Sequence, residues 1–213
     1  MDKPRHIVVE GPIGVGKTSL VSLLAERLKA RAIFERPEEN PFLEGFYRDK
    51  KRFAFQTQLF FLVSRYRQQR ELIQQDLFAR NTVCDYMFAK DKIFAHLNLS
   101  DDERRLYGQI YEILEREVVT PDLVIYLVAD PRILMERIQR RNFRYERPLT
   151  IDYLEELTAA YSKFFFAYDA SPLLVVNTSD IDFVYNADDF EALVQQVISH
   201  RRGTKQFIPL GSG

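Results

Sequence analysis

The sequence predicts an α/β protein built on a parallel β-sheet that is flanked by helices. Short apolar runs alternate along the chain with segments of helical periodicity, and this alternation is typical of a parallel sheet with helices on both faces. A glycine-rich turn between the first apolar run and the first helical segment is a second indication. The 213 residues are enough for one domain with a full core. We therefore expect a single domain over residues 1–202 and a flexible tail over residues 203–213.

Five strands are predicted, each of them short and apolar. They cover residues 7–10, 32–35, 82–85, 123–128 and 173–177. The helices between and after them are marked by periodicity and by capping residues. We expect helices over residues 17–29, 52–75 and 131–141, one that begins after Ser100, and a last one that Asn186 caps.

The glycine-rich turn matches G-x-x-x-x-G-K-[ST], the pattern of the phosphate-binding P-loop. Glycines let successive backbone N–H groups point at phosphate oxygens, and the helix that follows adds its partial positive charge. Lys17 supplies a mobile positive charge for the β- and γ-phosphates, and the Thr18 hydroxyl can hold Mg²⁺. The sequence therefore predicts a site for ATP or a similar triphosphate. Its residues are Gly11, Pro12, Ile13, Gly14, Val15, Gly16, Lys17, Thr18 and Ser19.

Composition excludes several classes of partner. The net charge of −1 provides no basic field for nucleic acid. No apolar stretch approaches the length of a membrane span, and the segment before the first strand is too short for a signal peptide. A single cysteine, Cys84, fits a reducing compartment. We expect a cytoplasmic protein with neither a nucleic acid nor a membrane partner.

Two acidic residues end predicted strands, at the edge where open parallel sheets bind ligands. Glu35 can accept a proton from a substrate hydroxyl or coordinate a metal, and an exposed loop acid is the alternative. Asp85 is the best placed second ligand for Mg²⁺, and a turn aspartate at a strand end is the alternative.

Arginines crowd the predicted helix over residues 131–141 and the turn after it. Arg137 and Arg141 are four residues apart and share a helical face. Guanidinium groups that converge on a triphosphate would neutralise charge on the transferred phosphoryl group, whereas a solvated basic face is the alternative. The remaining arginines of this segment are Arg140, Arg144 and Arg147.

A further set of polar residues lies among the aromatics that follow Pro41. Most of these aromatics are predicted core residues, but three polar residues are embedded among them: Tyr47, Gln58 and Arg65. Gln58 and Arg65 are seven residues apart and share a face of the long helix predicted over residues 52–75. An amide and a guanidinium facing a cleft can read the edge of a base through paired hydrogen bonds.

Together these residues resemble the deoxynucleoside kinase family, and most closely its bacterial deoxyadenosine/deoxyguanosine kinase branch. The matching segments occur in the family's order and cover most of residues 7–160. They are residues 10–18, 35–42, 46–47, 55–58, 64–65, 91–95, 137–146 and 153–154.

The resemblance implies a P-loop kinase fold with a five-stranded parallel sheet, an arginine-rich lid at about residues 137–148, and a homodimer. The implied reaction transfers phosphate from ATP, with Mg²⁺, to the 5′-hydroxyl of a deoxynucleoside. Glu35 would be the general base of this reaction. Lys17, Arg137 and Arg141 would act on the phosphates.

The resemblance also implies the residues that hold the acceptor. Tyr47 and Glu146 would hold the 3′-hydroxyl of the sugar, which favours deoxyribose. A preference for a purine rests on the resemblance alone, because a glutamine amide pairs with purine and pyrimidine edges alike. The residues implied for the base are Gln58, Arg65 and Asp91, with Phe94 stacking on it.

Two departures from the family pattern concern a positive charge near Glu35. The family usually has an acid-Arg-Ser triplet at the end of its third strand, where this chain has Asp85, Tyr86 and Met87. Arg36 follows Glu35 where a proline is usual. Our hypothesis is that Arg36 supplies the missing charge from the adjacent strand end.

Two other functions share parts of this pattern. A nucleoside monophosphate kinase, such as a thymidylate kinase, also has a P-loop and an arginine lid, but it needs cations for the phosphate of its acceptor. A nucleotide-dependent switch would read guanine with an N-K-x-D motif, to which Asn177, Thr178, Ser179 and Asp180 are superficially similar. The lysine of that motif is absent here.

Overall fold

The computed structural model describes residues 4–75, 81–179 and 183–207, and these contain one parallel sheet. Its strands are β1 (His6–Glu10), β2 (Arg31–Ile33), β3 (Thr82–Cys84), β4 (Leu123–Val128), β5 (Leu173–Asn177) and β6 (Thr204–Phe207). Their order across the sheet is β2-β3-β1-β4-β5-β6, and every neighbouring pair is parallel. The predicted α/β fold class is confirmed.

The predicted number of strands is wrong, because the sheet has six strands and not five. The additional strand, β6, lies within the segment for which we expected a flexible tail. It pairs with β5 from Leu173↔Thr204 to Val176↔Phe207. Its sequence, TKQF, has a single apolar residue, and its first three residues are exposed at the sheet edge. An edge strand of this kind carries almost no apolar pattern, so the sequence does not reveal it. Residues 208–213 of the expected tail lie outside the described residues.

Helices cover the sheet and also form the walls of the cavity above it. The capping box of Ser100 and Glu103 is present, and the Asn186 side chain accepts hydrogen bonds from two backbone N–H groups of the last helix. Within the described residues, no helix combines the length and the apolar character needed to cross a bilayer. The helices are α1 (Lys17–Leu28), α2 (Leu43–Arg48), α3 (Lys50–Gln75), α4 (Lys90–Asn98), α5 (Asp101–Glu115), α6 (Pro131–Arg141), α7 (Ile151–Phe166) and α8 (Ala187–Ser199).

The core lies around the two central strands, β1 and β4, which are apolar and buried. Such continuous apolar runs are typical of a parallel sheet that is covered on both faces. The register aligns Val8 and Ile33 with Cys84, the last residue of β3. Because the three strands are parallel, the residues that follow them meet at one edge of the sheet. This edge carries the site.

Candidate functional site

A cavity of about 1330 Å³ opens at the carboxyl ends of the strands. The P-loop forms one side of it, where Lys17 and Thr18 line the wall. Glu35, Gln58 and Arg65 line the same cavity. The structure therefore brings the predicted triphosphate site and much of the predicted acceptor site to one cavity.

The P-loop has a backbone conformation that favours glycine. Gly14 has φ 84° and Gly16 has φ 105°, both in the left-handed region. The Lys17 ammonium folds back over the loop and donates to the carbonyl oxygens of Gly11 at 2.7 Å and Pro12 at 3.0 Å. Burial, with help from the positive charge of Lys90, lowers the pKa of Lys17 to about 8.

The two predicted Mg²⁺ ligands are in contact. The Thr18 hydroxyl donates to Oδ2 of Asp85 at 3.1 Å, and Oδ1 of Asp85 accepts the backbone N–H of Glu35 at 2.6 Å. Hydroxyl and carboxylate oxygens suit Mg²⁺, which takes its other ligands from water and phosphate. The described residues contain no cluster of three or more His, Cys, Asp or Glu side chains arranged for a metal.

Glu35 lies between two cations. Its Oε1 accepts a hydrogen bond from Nε of Arg65 at 2.6 Å, and its Oε2 accepts one from Nζ of Lys90 at 2.8 Å. Burial alone would raise the pKa of the Glu35 carboxyl, but Arg65 and Lys90 outweigh burial and hold this pKa at about 2. Glu35 is therefore an ionised carboxylate at neutral pH.

Each of the two cations has a second acidic partner. Arg65 forms an ion pair with Asp91, and Lys90 lies 3.8 Å from Oε1 of Glu10. We call these five residues, Glu10, Lys90, Glu35, Arg65 and Asp91, the charge row. Buried charges are retained in proteins when they are paired, and the alternating signs of the charge row supply this pairing. Asp91 is fully buried behind Arg65 and does not line the cavity.

Tyr47 and Gln58 offer hydrogen bonds to a neutral ligand. Burial raises the pKa of Tyr47 well above its usual value, so the phenol keeps its proton. Gln58 is 2% exposed, lines the cavity, and its Oε1 has no hydrogen-bond partner among the described residues. Phe94, which also lines the cavity, packs edge-on against Tyr161 with ring centroids 6.1 Å apart. The predicted acceptor residues thus include an open buried amide and a neutral phenol.

The two predicted lid arginines bind protein groups beside the cavity. Arg137 donates to the Thr178 carbonyl at 2.8 Å and to the Val15 carbonyl of the P-loop at 3.4 Å. Arg141 donates from Nε to Oε2 of Glu146 at 2.7 Å, which pairs a predicted phosphate ligand with a predicted sugar ligand. Arg140 also lines the cavity. The other two lie farther out and are exposed: Arg144 is 3.8 Å from Glu44, and Arg147 donates to Asn142.

The hypothesis that Arg36 supplies a charge to Glu35 is wrong. The Arg36 side chain is 66% exposed and pairs with Glu39 at 3.0 Å. Tyr86 is fully buried in the core. The cation that contacts Glu35 in addition to Arg65 is Lys90, which sequence reasoning missed. An isolated lysine at the start of a helix is typical of solvated surface, and no pattern in the sequence distinguishes Lys90 from such a residue.

Comparisons with known proteins find deoxynucleoside kinases among the proteins similar to this chain. The family model described as deoxynucleoside kinase matches residues 7–201. A deoxyguanosine kinase of Bacillus subtilis is 35% identical over 204 residues, which are 92% of this chain and 98% of the relative. A deoxyadenosine kinase of Lactobacillus acidophilus is 30% identical over 205 residues, which are 90% of this chain and 94% of the relative. The solved structure of a deoxyadenosine kinase from M. mycoides with bound dCTP superimposes with a TM-score of 0.77 at 26% identity, covering 90% of this chain and 97% of that chain.

Proposed function

The chain belongs to the deoxynucleoside kinase family and is a kinase, and we propose that it phosphorylates the 5′-hydroxyl of a purine deoxynucleoside with ATP. One observation carries this proposal. The P-loop and an ionised carboxylate held between two cations, Glu35, line the same cavity. A phosphoryl donor and a base for its acceptor can therefore meet there.

The reaction forms a bond between the 5′-oxygen and the γ-phosphorus and breaks the bond between that phosphorus and the β,γ-bridging oxygen. The proton of the 5′-hydroxyl passes to Glu35, and ADP leaves. Positioning and charge neutralisation supply most of the rate in such transfers, and a general base assists. Glu35 is ionised at neutral pH, so its carboxylate has a free form that can accept this proton.

On the donor side, Lys17 would leave the two loop carbonyls and bind phosphate oxygens, with Ser19 and the loop backbone beside it. Thr18 and Asp85 would hold Mg²⁺, which neutralises phosphate charge when it is bound. We propose a single domain over residues 1–202 with a lid at about residues 137–148. Arg137 and Arg141 of this lid would add positive charge near the phosphates. Arg141 would first have to release Glu146.

On the acceptor side, we propose that Gln58 reads the base, because its buried Oε1 is open to a donor from a ligand. Arg65 would take part with Asp91 behind it, and Phe94 would stack on the base. Tyr47 would donate to the 3′-hydroxyl, and Glu146 would accept from the same group once Arg141 has turned to the phosphates. Tyr47 and Gln58 are neutral, and the cations beside them, Arg65 and Lys90, are already paired with Glu35. A monophosphate acceptor would need cations for its phosphate, which argues against a nucleoside monophosphate kinase.

The purine preference is supported by the relatives named deoxyguanosine and deoxyadenosine kinases. We also propose that the protein forms a homodimer and is located in the cytoplasm. Sedimentation equilibrium would test the oligomeric state, and twice the 25.1 kDa mass of the chain is the expected result.

A substrate panel tests the function. The four deoxynucleosides, adenosine and deoxyadenosine monophosphate would each be assayed with ATP and Mg²⁺ by coupled ADP release. We expect the largest kcat/KM with deoxyadenosine or deoxyguanosine and a lower value with adenosine. A preference for the monophosphate would overturn the proposal in favour of a monophosphate kinase, and binding of guanine nucleotide without acceptor-dependent ADP release would indicate a switch.

A further inference from the structure

Lys90 is a buried cation of the site to which neither the P-loop motif nor the family resemblance assigns a role. It is the first residue of α4, yet it is only 3% exposed. Its Nζ lies 2.8 Å from Oε2 of Glu35. A lysine that loses its hydration is costly unless compensating contacts replace the water. The burial of Lys90 in the cavity wall therefore requires an explanation, whereas an exposed lysine would require none.

The two oxygens of Glu35 are held by different side chains. Oε1 accepts from Nε of Arg65 at 2.6 Å and lies 2.5 Å from its Nη2. Oε2 accepts from Lys90 alone among the described residues. A carboxylate offers about four lone-pair positions. Nε and Nη2 of Arg65 and Nζ of Lys90 occupy three of those on Glu35, which leaves about one position open. That open position is on Oε2, the oxygen that Lys90 orients.

Lys90 has a second acidic neighbour, Glu10, in addition to Glu35. Its Nζ lies 3.8 Å from Oε1 of Glu10. Glu10 is fixed in turn by the backbone N–H groups of Met87 at 2.8 Å and Gly11 at 3.1 Å, and by the Tyr161 hydroxyl at 3.2 Å. Because Gly11 is the first residue of the P-loop, this chain of contacts ties the acceptor side of the cavity to the donor side.

We propose that Lys90 is a positioning residue that aims Oε2 of Glu35 at the 5′-hydroxyl of the substrate. The inference rests on the role of Glu35 as general base under the proposed function. In the reaction, the proton passes from the 5′-hydroxyl to Oε2, and Lys90 neither gives nor takes one. The family pattern has an arginine directly after the acid that ends the third strand, but this chain has Tyr86 there, buried in the core. The second cation beside Glu35 therefore comes from α4 and not from the end of β3.

The substitution Lys90→Gln removes the charge and keeps a hydrogen-bond donor of similar length. We expect kcat to fall at least about 30-fold, while KM for ATP and for the deoxynucleoside stay within about threefold. The reason is that a misdirected base reduces the stabilisation of the transition state and leaves ground-state binding unchanged. Lys90→Arg should recover most of kcat. Lys92→Gln is the matched control, since Lys92 is an exposed lysine on the same helix that pairs with Glu115, and its kcat should not change.

A double-mutant comparison separates this inference from the proposed function. If Lys90 acts through Glu35, Lys90→Gln should cause no further loss of kcat in a Glu35→Gln background. Equal losses in both backgrounds, or an unchanged kcat in folded Lys90→Gln, would overturn the positioning role alone. A near-normal kcat in Glu35→Gln would instead overturn the proposed base. If Lys90→Gln does not fold, Lys90→Arg decides: a loss of kcat of tenfold or more in a folded Lys90→Arg protein contradicts the inference, and a smaller loss supports it.

Discussion

The P-loop of the donor side is one contiguous stretch of chain, whereas the acceptor side is assembled from separate elements. The P-loop runs from Gly11 to Thr18 and works largely through backbone conformation. The charge row draws Glu10 from β1, Glu35 from the segment after β2, Arg65 from α3, and Lys90 and Asp91 from α4. Backbone sites depend on local geometry. Charge networks depend on every partner being present, because the loss of one partner leaves another buried charge unpaired.

The largest expected effect tests whether the two sides can be separated. Glu35→Gln removes the proposed base and leaves the P-loop intact. We expect kcat to fall about 10³-fold, within the range for general acid–base catalysis, while the affinity for ATP measured by calorimetry stays unchanged. Asp49→Asn is a control, because Asp49 is an exposed carboxylate that caps the start of α3. A parallel loss of ATP affinity in Glu35→Gln would show that the two sides form one unit.

The next effect tests the dependence of the donor side on backbone. A Cβ on Gly14 would lie 2.8 Å from the Leu134 carbonyl oxygen and 2.9 Å from Cγ1 of Ile138, at a φ of 84° that L residues rarely adopt. Gly14→Ala should therefore lower the free energy of unfolding by about 3 kcal/mol, measured by urea denaturation, and weaken ATP binding.

Gly108→Ala is the control for this glycine. Gly108 lies within α5, and a Cβ there would meet no atom within 4 Å. This substitution should raise stability by about 0.5–1 kcal/mol, because alanine favours a helix over glycine. Equal destabilisation in both variants would contradict the special role of the P-loop backbone.

The same contrast explains what the sequence could predict. The P-loop, the caps of Ser100 and Asn186 and the five apolar strands depend on neighbours in the chain, so short patterns reveal them. Lys90 was missed because its partner Glu35 is distant in sequence and a lone lysine carries no pattern. Strand β6 was missed for a similar reason, since pairing with β5 and not its own composition holds it in the sheet.

The roles given to single side chains by resemblance remain predictions. Arg36 shows the limit of such reasoning: sequence proximity to Glu35 suggested a contact, but the backbone turns its side chain outward to Glu39. The pair of Arg141 and Glu146 could not be foreseen either, because the resemblance gave them different ligands. The fold as a whole determines which partner a charged group contacts.

A smaller effect sharpens the acceptor side. Tyr47→Phe removes one proposed hydrogen bond to the 3′-hydroxyl and should lower kcat/KM for a deoxynucleoside about tenfold. With a 2′,3′-dideoxynucleoside, which lacks that hydroxyl, the same substitution should have little effect. Tyr66→Phe removes a hydrogen bond to Glu117 on the exposed side of α3 and serves as the control. Equal losses with both substrates would assign Tyr47 a packing role and not a contact with the sugar.

The smallest expected effect concerns the protonation of Lys17 on the donor side. Lys17 has a pKa of about 8 in the free protein, because burial lowers it. Below that pH it is cationic and attracts the triphosphate, and above that pH the charge is lost. We therefore expect kcat/KM for ATP to fall about fourfold from its plateau at pH 8.5, since this parameter reports the free enzyme. Lys17→Arg should lack this alkaline limb, because a guanidinium stays protonated. A limb that persists in Lys17→Arg would place the titrating group elsewhere, and a flat wild-type profile to pH 9.5 would contradict the lowered pKa of Lys17.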